Sequence, residues 1–195
     1  MSLLSEDLPV TWIAIRSTGV TAWVMLTLVV LLGLLLRTRL LDQAAPPQRL
    51  IVLHRYFGAL ALTFVAIHML LLLVDPAVTF TIPEIFIPML APWKPWEVAL
   101  GIAAFWSLLP VLLVAATRGR LGKQGNRLFK KTHIAAYCAW PLATLHYIVV
   151  GTDALVWWSM ALIFTGSGLL IFMLLTRGYV PKPSRKKRQQ SPMVP

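Results

Sequence analysis

Residues 50–74 read LIVLHRYFGALALTFVAIHMLLLLV, and the only imidazoles or formal charges among them are His54, Arg55 and His68. The run exceeds the roughly 20 apolar residues that a helix needs to cross a bilayer, so it reads as a transmembrane helix. An ionisable side chain inside such a helix is costly enough to be functional by default. His68 is the sharper case, because Ala66, Ile67, Met69, Leu70 and Leu71 surround it with nothing polar. At ~1.5 Å and ~100° per residue, the step from His54 to His68 advances ~21 Å and returns to within ~40° of the starting face. Both rings therefore point into one seam.

The only other histidines, His133 and His146, again form a spaced pair inside an apolar segment. Their thirteen-residue step covers ~19.5 Å but leaves the two rings ~140° apart on an ideal helix. Pro141 lies between them and is expected to kink or rewind the helix until both rings reach the same neighbour. A lone histidine in a membrane helix is more often a hydrogen-bonded packing residue than a ligand. Four in two matched pairs, with none elsewhere, reverse that reading.

The rest of the chain has the same character. Of its 195 residues 58% are hydrophobic and only 13% charged, and the mean hydropathy of +0.75 excludes an ordinary soluble domain. Apolar segments at about 12–36, 50–74, 97–117, 133–150 and 155–177 predict an all-α integral membrane bundle of about five transmembrane helices. The expected organisation is a short outer segment 1–11, a membrane domain 12–177 and a basic tail 178–195. A Pro-Pro turn near 43–48 joins the first two helices, and residues 151–154 make the fourth and fifth antiparallel neighbours. The single cysteine, Cys138, excludes a disulfide framework and reads, with the seven methionines, as core filling. The first ten residues show no basic leader region, which predicts insertion through the first helix.

Charge orients the bundle. Sixteen of the eighteen Lys and Arg residues fall within 37–55, 118–131 and 177–188, whereas Glu6, Asp7, Asp75, Glu84, Glu97 and Asp153 fall in the alternate segments. The positive-inside bias then puts the N-terminus outside and the C-terminus inside a multi-pass protein of the plasma membrane. Trp12, Trp93, Trp96, Trp157 and Trp158 gather at the outer interface as an aromatic belt. This distribution accounts for the net charge of +11 through lipid head groups, with no nucleic-acid partner.

With the second and fourth helices parallel, His54 pairs with His133 near the inner face and His68 with His146 nearer the outer face. Imidazole is the commonest nitrogen ligand of metals, haem iron included, so the pattern reads as two stacked bis-histidine sites. Zinc fits less well, because its ligands converge on one point instead of spreading over ~20 Å.

At these residues the chain resembles the ferric reductase-like transmembrane domains, which include the membrane parts of NADPH oxidases, metalloreductases and the haem subunit of the periplasmic methionine sulfoxide reductase system. The resemblance rests on Leu53-His54-Arg55-Tyr56-Phe57-Gly58 with Ala66-Ile67-His68, and on Leu121-Gly122-Lys123 leading to Thr132-His133 and Leu145-His146-Tyr147. It implies two haem b groups whose iron is held by His54, His68, His133 and His146, and single-electron transfer across the membrane. Six helices are usual in that family, and the sequence gives five. Larger members continue into a flavin and nicotinamide domain, whereas this sequence contains no G-x-G-x-x-G. The expected donor is therefore a separate flavoprotein carrying FMN or FAD, or a membrane quinol, and the acceptor an outer protein. Two other readings stand beside it: a haem-bearing anchor subunit of a quinol-linked oxidoreductase complex, and a cofactor-free structural or assembly subunit.

Five further cations bear on the sites. Arg16, about a turn inside the first helix, reads as a haem-propionate partner or as a partner of Glu6 or Asp7. Arg55, Arg127 and Lys131, with Lys130, flank the inner site and suit propionates or an acidic, flavin-bearing protein, although topology alone accounts for them. The proline-rich loop 75–96 reads either as a cap on the outer site or as a packed connector.

Overall fold

The computed structural model describes residues 10–38 and 46–176. Glu6, Asp7, the 43–45 part of the first linker and the basic tail from Arg177 lie outside the described residues. The helices are α1 Val10–Thr38, α2 Pro47–Leu72, the short α3 Ile82–Phe86, α4 Pro95–Ala135, α5 Ala139–Val150 and α6 Trp157–Thr176, with a 3₁₀ turn Ala136–Cys138 between α4 and α5. Among the described residues there is no strand, and five stretches are long and apolar enough to cross a membrane: Val10–Thr38, Pro47–Leu72, Pro95–Thr117, Gly119–Val150 and Trp157–Thr176.

Prolines start two of these helices. Pro47 and Pro95 stand at first helical positions, where the missing N–H costs no hydrogen bond and the fixed φ suits the helix. α4 is broken at Gly122, whose φ of 52° and ψ of −126° a β-carbon would disfavour, and there the chain turns so that α5 packs back on α4. The fourth span is longer than the expected 133–150. Residues 123–132, read as a charged connection, are helical, because Lys123, Gln124, Arg127, Leu128, Lys130 and Lys131 are good helix formers.

Two antiparallel hairpins, α1–α2 and α4–α5, face one another so that α2 and α5 run parallel, and α6 lies along α1. Within the membrane the polar groups that join them must be satisfied internally. Trp23 Nε1 donates to Thr144 Oγ1 at 2.9 Å, and Trp140 Nε1 donates to Thr27 Oγ1 at 2.9 Å, a reciprocal brace between α1 and α5. Interhelical bonds of this kind contribute about 0.6 kcal/mol each on average. Gly166 lets α6 approach that brace closely, for a β-carbon there would lie 3.1 Å from Trp23.

The connection between α2 and α4 is a folded cap. Phe80, Ile85 and Ala91 are buried with Val98 and Ile102 of α4, and Met69 and Leu72 of α2, with Leu73 just beyond it, pack against them. A capping box of Thr81 and Glu84 opens α3. Cys138, expected as core filling, is instead exposed, because the 3₁₀ turn presents it outward on the bundle surface.

Candidate functional site

The two hairpins bring the four histidines together in pairs. His68 and His146 form an upper pair, at the end of the bundle that carries the cap, with ring centroids 6.5 Å apart and planes at 81°. His54 and His133 form a lower pair at 6.0 Å and 62°. The 3₁₀ turn explains how two unequal sequence spacings meet. Three residues at ~120° and ~2.0 Å each lengthen the His133–His146 step to ~21 Å and cut its angular misfit from ~140° to ~80°. That length equals the His54–His68 step on α2. The turn lies just before Pro141, which has no N–H to offer the Tyr137 carbonyl, so the distortion falls where the sequence cannot sustain an α-helical bond.

Backbone carbonyls fix three of the rings. His68 Nδ1–H donates to Ile15 O at 2.8 Å, His54 Nδ1–H to Val29 O at 3.0 Å and His146 Nδ1–H to Glu97 O at 2.8 Å. A carbonyl can only accept, so Nδ1 carries the proton and Nε2 keeps the lone pair needed to bind a metal. Glycines make room: a β-carbon at Gly101 would stand 2.9 Å from His146, at Gly19 3.1 Å from His68 and at Gly33 3.4 Å from His54. An imidazole–metal–imidazole sandwich with bonds of about 2.0 Å sets ring centres roughly 6 Å apart, which both pairs fit. Among the described residues no group of three or more His, Cys, Asp or Glu is poised for a bare ion. Two opposed imidazoles suit a metal that brings its own equatorial ligands, as haem does.

Each pair opens into a cavity. The upper one, about 430 Å³, is overwhelmingly apolar and runs from Trp23 and Leu26 past Phe105 to Phe80 and Ile85 of the cap. Arg16 lies at its polar end beside Asp153, with which it forms an ion pair, and its guanidinium carbon is 4.0 Å from the Trp12 ring centroid. Glu6 and Asp7, the acidic partners expected for it, lie outside the described residues. The lower cavity, about 500 Å³, is lined by Gly33, Arg37, Arg55, Phe129, Tyr137 and Ala115 besides its histidines. Arg55 stands where the sequence suggested. Arg127 and Lys131 are exposed and outside that lining, and Arg37, taken only as a topological charge, is within it. The glycine notches and Tyr137 also escaped the sequence reading, since Gly is common in membrane helices and marks no partner by itself.

A family profile described as "Ferric reductase like transmembrane component" matches residues 18–144, which take in three of the four histidines and the Gly19, Gly33 and Gly101 notches. No curated protein and no solved structure matches the chain.

Proposed function

Because the chain belongs to the ferric reductase-like transmembrane component family, whose domain implies electron transfer across a membrane, we propose that it holds two b-type haems, one between His68 and His146 and one between His54 and His133. The observation that carries the reading is the pair of opposed imidazole couples, each spaced for one metal, at matching depths on two parallel helices. When bound, haem supplies a one-electron carrier at each level. The chain's own work would be to hold the group through the histidine Nε2 atoms, with the Ile15, Val29 and Glu97 carbonyls keeping three of the rings in the tautomer whose Nε2 is free to bind. Apolar walls exclude water, and Arg37 and Arg55 below and Arg16 above offer cations to haem propionates.

Orientation follows from the charges: the lower site faces the cytoplasm across a plasma membrane. Electrons then enter from a flavoprotein docked on the basic lower face or from a membrane quinol, and leave near the cap to an outer acceptor. A pyridine haemochrome assay of the purified chain tests the proposal, with two haems per chain expected. One haem or none overturns it.

A further inference from the structure

Three of the four imidazoles share one device, and the fourth departs from it. His68, His54 and His146 each place Nδ1 on a carbonyl, of Ile15, Val29 and Glu97, and each ring lies against the glycine four residues further along that helix: Gly19, Gly33 and Gly101. The helix dictates this relation, because the carbonyl of residue i points at residue i+4, where a side chain would shield it. On α1 the device repeats after fourteen residues, one copy for each histidine of α2. On α4 the same step leads from Glu97 and Gly101 to Val111 and Ala115. Ala115 lines the lower cavity together with His133, and it carries a methyl group at the position that this step assigns to a fourth notch.

His133 Nδ1 is accordingly buried with no hydrogen-bond partner among the described residues. Its ring is instead stacked on Phe129, with centroids 5.1 Å apart and planes at 27°. The partner on Nδ1 fixes the orientation of a ligating imidazole and raises its basicity. His133 therefore has the weakest hold of the four on a metal. The cavity beside it also carries hydrogen-bond donors in Tyr137, Arg37 and Arg55.

We propose, on the strength of the two-haem reading, that His133 is an exchangeable ligand and that the lower site accepts a small exogenous ligand of the carbon monoxide or cyanide class in its place. In the exchange the bond from the metal to His133 Nε2 breaks and a bond from the metal to the ligand's carbon forms; no electron or proton moves. The upper site, with both rings anchored, keeps its histidines.

Carbon monoxide is the probe, added to the dithionite-reduced full chain with the haem counted by pyridine haemochrome. Half of the haem is expected to bind it. In the His68→Ala/His146→Ala double variant, which leaves only the lower site, all remaining haem is expected to bind it. Ala115→Gly opens the notch and lets His133 reach the Val111 carbonyl, so carbon monoxide affinity falls tenfold or more. Ala115→Ser, which offers Oγ as an acceptor to the same Nδ1, weakens it in the same direction and guards against a folding defect in the glycine variant. Two haems that both refuse carbon monoxide, two that bind it equally, or affinity unchanged in both Ala115 variants overturns the inference. A wild-type count below two haems overturns the two-haem reading itself, so the two failures are told apart.

Discussion

At Gly101 the margin between a seated imidazole and a collision is one methyl group. A β-carbon there would approach His146 to 2.9 Å and one at Gly19 would approach His68 to 3.1 Å, whereas at Gly33 the nearest imidazole atom is 3.4 Å away, an ordinary contact. On the two-haem proposal, Gly101→Ala and Gly19→Ala are therefore expected to cost the upper haem while Gly33→Ala keeps both, read by haem content of the folded protein. His68→Ala is expected to remove the upper haem and spare the lower one; equal loss of both from a folded variant would break the pairing. The near-perpendicular ring planes of the upper pair, at 81°, lead us to expect a strongly anisotropic low-spin ferric resonance from that site. The pairing of the four histidines was legible in the sequence, most sharply at His68, because an imidazole amid Ala, Ile, Met and Leu has no cheap explanation. Their anchors were not. A carbonyl acceptor leaves no mark on residue type, and the partner of Arg16, Asp153, lies far along the chain.

Between residues and molecule stands the segment from His133 to His146. Its spacing announced a misfit, and Pro141 announced where relief had to come; the form of the relief, a 3₁₀ turn that adds length as well as rotation, depends on packing against α4 and was not readable. Pro141→Ala restores an N–H to the Tyr137 carbonyl and favours continuous α-helix. The two rings then turn apart by ~60°, and the variant is expected to retain one haem of two with helix content unchanged by circular dichroism. The Trp–Thr brace is an equally local device. Trp140→Phe removes the donor to Thr27 and is expected to lower stability by about 0.6 kcal/mol, and by no more than about 1.7 kcal/mol, in unfolding titrations. Helix boundaries were less legible than helix existence, most of all at 123–132, where charge suggested a connection and helix propensity prevailed.

For the whole molecule the expectations concern sidedness and supply. A reporter fused after Pro195 should be active only in the cytoplasm, as the distribution of Lys and Arg dictates. With haem bound as proposed, NADH or NADPH added to the purified chain should leave it oxidised, whereas dithionite should reduce it. If a flavoprotein is the donor, its reduction of the haems should slow as salt rises, because exposed charges are screened beyond ~8 Å at physiological ionic strength. A quinol arriving through the bilayer should show little such dependence.

The 3₁₀ turn gives the two parallel helices the relation of the two scales of a vernier: thirteen divisions on one are stretched to meet fourteen on the other. Coincidence of height at both ends, ~21 Å apart, depends on that stretch. A single residue inserted between His54 and His68 would put one mark out of line and leave the other true, and only a matching insertion in the opposing scale could answer it.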